Sequence, residues 1–254
     1  MKVYFLGTGT SQGIPVIGSN HPVCLSNDKN DKRLRVSVWI HDENQSFVID
    51  CGPDFRQQML VSKCNRIDAI VFTHEHSDHT AGLDDIRPFN FKQGEIPIYG
   101  HKRVLDNLKK RFDYIFETEN KYPGAPAVKP IEVVNNESFY IGKIKIIPIN
   151  AMHGNLQVFG YRVNDFAYLT DIKTIETKEI EKIQGVKVLV INALRDEEHH
   201  SHFSLQDALD FVTLVQPEIT YLTHISHMLG FHEEVQKKLP KNVFLAYDNL
   251  EISI

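Results

Sequence analysis

The chain has 254 residues, 42% of them hydrophobic and 24% charged, with a formal net charge of −5. That length supports a sizeable buried core, and no run of 18 apolar residues points to a transmembrane helix. The acidic balance disfavours a protein that clamps long nucleic acids, which shows a basic face; a small or locally contacted substrate is expected, with nucleic acid a secondary alternative.

Taken in chain order, Lys2–Leu6 is a β-rich run that breaks at Gly7. It carries one Lys and no small-residue cleavage site, so it reads as a first strand rather than a signal peptide, and a cytoplasmic location is expected. Further short β-rich runs follow at Arg35–His41, Ser46–Asp50, Ala69–Phe72, Ile96–Tyr99, Ser138–Ile141, Lys143–Ile149 and Val158–Val163. Others lie at Ala167–Leu169, Val186–Ile191, Ile219–Leu222 and Val243–Tyr247. Turn residues separate several of them, including an Asn164-Asp165 hairpin turn. Helical patterns occupy Pro53 to about Val61, Lys102–Arg111, Ser204–Val215 with Ser204 and Asp207 as a weak capping box, and Met228–Leu239. Phe112–Pro130 reads as a surface loop with one helical turn, or as a lid or dimer contact. Strands in pairs interrupted by helices fit two mixed sheets with helices outside them, in one domain spanning 1–254.

Cys24, Cys51 and Cys64 are too few and too scattered for a disulfide framework, so free thiols or metal ligands are expected. The 13 histidines are the unusual feature. In "IVFTHEHSDHTAGLDD" the chain reads Val71, Phe72, Thr73, then His74, Glu75, His76, Ser77, Asp78, His79. On a regular strand His74 and His76 share a face, while Asp78 and His79 cannot both join them. The chain must therefore curl after Thr73 for four side chains to converge. Imidazole and carboxylate donors suit Zn, Mn or Fe. His153, Asp171 and His224 each follow an apolar run, and the last two repeat the pattern of a strand ending in Thr before a potential ligand. Four strand ends delivering His and Asp are what a metal site at a sheet edge requires.

These residues, with Asp50 at an earlier strand end, resemble the metallo-β-lactamase superfamily over nearly the whole chain. The resemblance implies an α/β (α+β) fold, an αββα sandwich of two mixed β-sheets flanked by helices, with two Zn or Mn ions at one edge. It implies His74, His76 and His153 on the first ion, Asp78, His79 and His224 on the second, Asp171 between them, and Asp50 orienting ligands. The opening "FLGTGTSQGIP" and the stretches "IDCGPDFRQQ", "GLDDIRPFN" and "HHSHFSLQDAL" are most similar to the phosphoribosyl cyclic phosphodiesterases. By that likeness the protein is a dinuclear metal-dependent hydrolase, a phosphodiesterase for a small phosphate ester, cyclic esters included. Asp78 and Asp50 would serve the catalytic centre, and His202 would be the general acid, since an ordinary imidazole pKa near 6.5 lets it carry a proton. Arg56 and Arg87 are the candidate phosphate contacts. Thioester or lactone hydrolysis, tRNA 3′-processing, and a non-enzymatic cofactor-biosynthesis role remain alternatives, and a homodimer is left open.

One departure stands out. The subgroup carries three Cys as GCxCxxC, with a structural zinc completed by a His three residues after the last active-site His. Here the stretch is "GSNHPVC", so Ser19 and His21 replace two thiolates. His21, Cys24 and His227 are left as a reduced set for an additional structural Zn, whereas structural zinc normally takes four protein ligands.

Overall fold

The computed structural model describes residues 1–119 and 121–254. Its first sheet draws on β1 (Lys2–Gly7), β2 (Ser37–His41), β3 (Ser46–Ile49), β4 (Ala69–Val71), β5 (Ile96–Gly100) and β6 (Val128–Glu132). The second draws on β7 (Phe139–Ile141), β8 (Ile144–His153), β9 (Leu156–Val163), β10 (Phe166–Leu169), β11 (Thr174–Ile175), β12 (Val188–Asn192), β13 (Ile219–Thr223) and β14 (Val243–Leu245). A last strand, β15 (Glu251–Ser253), returns to the first sheet beside β1. The sheet orders are β15-β1-β2-β3-β4-β5-β6 and β11-β8-β9-β10-β12-β13-β14, with β7 also on β8.

Both sheets are mixed in the same way. Antiparallel pairs run from β15 to β3 and from β11 to β10, and parallel pairs run from β3 to β6 and from β10 to β14. Side-chain alternation sorts the apolar residues into layers. Phe47 and Ile49 of β3, Val71 of β4, Tyr168 of β10 and Val190 of β12 fill the space between the sheets. Val48 and Ile70 face outward against Phe55 and Met59 of the helix Phe55–Ser62 and Val104 and Leu108 of the helix Lys102–Arg111. On the other side Leu169, Ile191 and Leu222 pack against Ala208, Phe211 and Val212 of the helix Leu205–Val215. The result is the expected αββα sandwich. The Ser204–Asp207 capping box is present, and Asn164-Asp165 closes the β9–β10 hairpin with Asn164 at φ 54°.

Two expectations change. Met228–Leu239 is not one helix: a 3₁₀ turn at His227–Leu229 and a helix at His232–Gln236 are parted by Gly230 at φ 113°, a conformation that glycine reaches without steric cost. The Phe112–Pro130 segment does contain its helical turn, Asp113–Phe116, but its end is strand β6. Asn120 in that segment lies outside the described residues. The helix Arg87–Gln93 holds the second of the two arginines expected at the phosphate.

Candidate metal centre

The parallel strands end on one edge of the sandwich, and register brings their last residues level. Leu169, Ile191 and Leu222 are paired across β10, β12 and β13, so the positions two residues on, Asp171 and His224, lie at the same height. Continued pleating would send both outward with Leu169 and Leu222, and would send Asp50 outward with Val48. Instead the backbone is left-handed at Asp50 (φ 66°), Asp171 (φ 56°) and His224 (φ 53°). That break in the pleat turns all three toward the seam between the sheets. For a non-glycine residue such backbone costs about 1 to 3 kcal/mol, and it persists where surroundings enforce it.

The His74–His79 segment curls as its spacing requires. His74 leaves the strand, and Ser77–Thr80 forms one helical turn. The turn seats on Gly52, where an added Cβ would stand 2.0 Å from the Asp78 carbonyl oxygen. Asp50 fixes the exit from β4: its Oδ1 accepts the Thr73 N–H at 2.8 Å, and its Oδ2 accepts the Thr73 hydroxyl at 2.8 Å. Asp50 Oδ2 also lies 2.6 Å from His79 Nδ1. With Nδ1 donating to that carboxylate, His79 presents Nε2 to the centre, 3.2 Å from Asp78 Oδ2 and 3.1 Å from Asp171 Oδ2.

Two sets of three ligand atoms each converge within 4.8 Å of one another: His74, His76 and His153, and Asp78, His79 and His224. Asp171 shares a third such set with His74 and His79, and a fourth with His153 and His202. It therefore stands between the first two, with Oδ1 3.1 Å from His224 Nε2. The buried Nε2 atoms of His79 and His224 make no hydrogen bond. Buried polar atoms are normally satisfied, so these orphaned nitrogens among carboxylate oxygens are what a bound cation would complete. Charge fits too. Burial and neighbouring imidazoles hold His74 and His76 below the ordinary histidine range, favouring their neutral forms. Burial disfavours the Asp78 and Asp171 carboxylates, but facing histidines outweigh it and hold both below the ordinary carboxylate range. Neutral imidazole and ionised carboxylate are the forms that bind a divalent metal.

His202 adjoins this centre, with its ring centroid 4.4 Å from that of His153 and 4.8 Å from that of His224. Burial pushes its imidazole down to about 3, against the pull of Asp171. The ordinary value assumed from sequence therefore does not hold here, and the side chain rests neutral. The two arginines have other partners in this structure. Arg87 Nη2 donates to Asp84 at 2.7 Å and to the Tyr122 hydroxyl, and Arg56 lines a cleft of about 360 Å³ with Met59, Cys64, Asp85 and Phe89. Among the described residues neither pairs with a residue of the His/Asp cluster.

His21, Cys24 and His227 are brought together only in part. The His21 and His227 rings stand 4.9 Å apart. Cys24 Sγ accepts the Val16 N–H at 3.5 Å, and His21 Nδ1 accepts the Val23 N–H as a helix cap. Among the described residues no convergent set of three ligand atoms includes any of them.

Some working residues escaped the sequence reading. Thr73 and Thr170 each donate a hydroxyl to the carboxylate of the site, Thr73 to Asp50 and Thr170 to Asp171 at 2.8 Å. The repeated Thr before a ligand was the available signal. His153 Nδ1 lies 2.8 Å from the Ser201 carbonyl oxygen, a contact between residues 48 positions apart that no local pattern announces.

A sandwich of this kind with His and Asp gathered at its edge defines a class, and the β-lactamase superfamily domain matches residues 45–225. The chain belongs to the metallo-β-lactamase superfamily, a family of metal-dependent hydrolases. More particularly, it is similar to a diphosphatase of the PhnP family known from its crystal structure. The two share 36% identity at a TM-score of 0.93, covering 100% of this chain and 97% of that one. An octanoyltransferase of Porphyromonas gingivalis is 39% identical over 256 aligned positions, covering 100% of this chain and 52% of that protein. A ribonuclease Z of Bacillus subtilis is 29% identical over 188, covering 71% of this chain and 54% of that protein. The chain thus spans about half the length of the curated relatives it matches. No helix among the described residues is long and apolar enough to cross a membrane.

Proposed function

We propose that this protein is a dinuclear metal-dependent phosphodiesterase acting on a small phosphate ester, with cyclic phosphodiesters among its candidate substrates. The observation that carries this reading is the pair of three-residue ligand sets with Asp171 between them. Bound there, two Zn or Mn ions supply a water acidic enough to attack at neutral pH and positive charge for phosphoryl oxygens. His74, His76 and His153 would hold one, Asp78, His79 and His224 the other, and Asp171 would reach both. Asp50 keeps His79 in the tautomer that leaves Nε2 free.

His202 contributes an imidazole beside the reaction site. Neutral in the free protein, it can donate one N–H to a phosphoryl or leaving-group oxygen. An anionic phosphate close by favours its protonated form, which would let it deliver a proton to a departing alkoxide. Similarity to the PhnP-family diphosphatase supports phosphoryl chemistry. The net charge of −5 favours a small substrate over tRNA. The name of the octanoyltransferase belongs to a protein twice as long and carries no weight for this chain.

A panel of cyclic sugar phosphates, cyclic nucleotides, dinucleotides, diphosphates, thioesters and lactones tests the reading. Turnover of phosphodiesters is expected. Thioester or lactone turnover with every phosphodiester inert would overturn it.

A further inference from the structure

The first proposed ligand set joins two sheets. His74 and His76 come from the loop after β4, and His153 from the end of β8. Its geometry therefore depends on what holds the sheet edges at a fixed spacing. Close to the site two bonds cross the seam: Phe159 N–H donates to the Thr73 carbonyl at 3.0 Å, and the Tyr161 hydroxyl to the Phe72 carbonyl at 2.6 Å. Both run between residues that precede or oppose the ligands, and neither touches the segment between His74 and His76.

Arg103 does. It is the second residue of the helix Lys102–Arg111, and its Nε donates to Glu75 Oε1 at 2.7 Å. Its Nη2 donates to the Gln157 carbonyl at 2.6 Å. Glu75 is the residue between His74 and His76. Gln157 pairs with Met152 in the β8–β9 ladder, next to the His153–Leu156 pair that closes the hairpin. One guanidinium thus spans the two segments that deliver the three imidazoles. Its rigid fork suits that double contact better than an ammonium does. At the other end of the same helix Arg111 Nη1 donates to the Thr80 hydroxyl at 2.7 Å, and Thr80 Oγ1 donates in turn to the His76 carbonyl at 2.8 Å. Glu75 Oε2 is buried and has no partner, so Arg103 is the sole cation paired with that carboxylate among the described residues.

We infer that Arg103 is a positioning residue for the first metal site, setting His74 and His76 against His153 through Glu75 and Gln157. The inference rests on the dinuclear reading above, and it predicts which ion suffers when the clamp is cut.

The test is stepwise cobalt(II) titration of the chelator-stripped protein, followed by visible absorbance and calorimetry, for wild type, Arg103→Met, Arg103→Lys and Lys102→Met. His153→Ala, which deletes a ligand, identifies the step that belongs to the first site. Arg103→Met should weaken that step about 10- to 100-fold, the usual loss when a group that orients a ligand is removed. The other step should move little, and thermal unfolding of the stripped protein should stay near wild type. Arg103→Lys should recover part of the loss, since an ammonium can serve one of the two acceptors well. Lys102→Met breaks only an exposed pair with Asp106 and should change neither step. Unchanged binding at the His153-dependent step in Arg103→Met, or equal weakening of both steps alongside lost stability, overturns the inference. Ion count in wild type judges the dinuclear reading separately: a single step there contradicts that reading, while the effect of Arg103→Met on the His153-dependent step still judges the clamp.

Discussion

The His79 ring is held by the Asp50 carboxylate at 2.6 Å, and both side chains are fully buried. Burial opposes charge on the imidazole, yet Asp78, Asp171 and Asp50 together outweigh it and raise His79 well above the ordinary histidine range. The carboxylates thus draw positive charge to this position, the place a bound cation would take. Asp50→Asn tests the orienting role. Its amide can still accept from the Thr73 N–H, but an amide N–H facing His79 Nδ1 favours the opposite tautomer and blocks Nε2. Affinity for the second ion should fall about 10- to 100-fold with the fold retained, as read by metal titration and circular dichroism. Unchanged affinity would show that the tautomer is set by something else.

The left-handed backbone at His224 gives a second expectation. Asparagine tolerates that conformation better than alanine does. His224→Asn and His224→Ala should both lose the second ion, while the metal-free alanine variant should be about 1 kcal/mol less stable than the asparagine one. Chemical denaturation of the two stripped variants measures the difference, and equal stability would mean that φ at 224 carries no strain.

A third expectation concerns pH and lies away from the metals. Asp248 accepts the Thr8 hydroxyl at 2.7 Å and the Leu34 N–H at 2.6 Å, and burial pushes its carboxyl up to about 6. The folded state therefore holds this proton more tightly than the unfolded chain, whose Asp titrates at about 3.9. The associated stability is fully present below about pH 4 and is lost as pH rises through about 6. Asp248→Asn stays neutral throughout. Its stability deficit relative to wild type should shrink between pH 4 and 7.5, by at most about 3 kcal/mol. A deficit that grows with pH over that range would contradict the assignment.

His202→Ala should slow alkyl phosphodiesters far more than bis(p-nitrophenyl) phosphate, because p-nitrophenolate departs without a proton. Comparing kcat/KM for the two classes checks it. Equal losses would assign His202 to binding alone.

The clustering of His and Asp was legible because His74, His153, Asp171 and His224 each sit where an apolar run stops, and three of those runs end in Thr. What local pattern could not show was direction. Nothing in "YLTD" or "YLTH" says that the backbone turns left-handed and swings Asp171 and His224 to the seam. Nor could it place Arg56 and Arg87. A basic residue in a motif-like stretch reads as a phosphate contact, while its actual neighbours, the cleft shared with Asp85 for Arg56 and Asp84 for Arg87, are set by the fold. The missed strands have physical reasons. β15 pairs Ser253 with Lys2 across the length of the chain, and β6 carries Pro130, which an edge strand tolerates. Arg103 was silent for the same reason as β15, since its partners Glu75 and Gln157 lie 28 and 54 residues away.

The central claim is that two metal ions at the His/Asp edge drive phosphodiester hydrolysis. Its most direct measurement is bis(p-nitrophenyl) phosphate turnover by the chelator-stripped protein during titration with Zn or Mn, with bound metal counted in the same samples. Turnover should be absent at the start, rise as the second ion per chain binds, and remain absent in Asp78→Ala at any metal concentration. Full turnover in the stripped protein, or none after two ions are bound, would contradict the account.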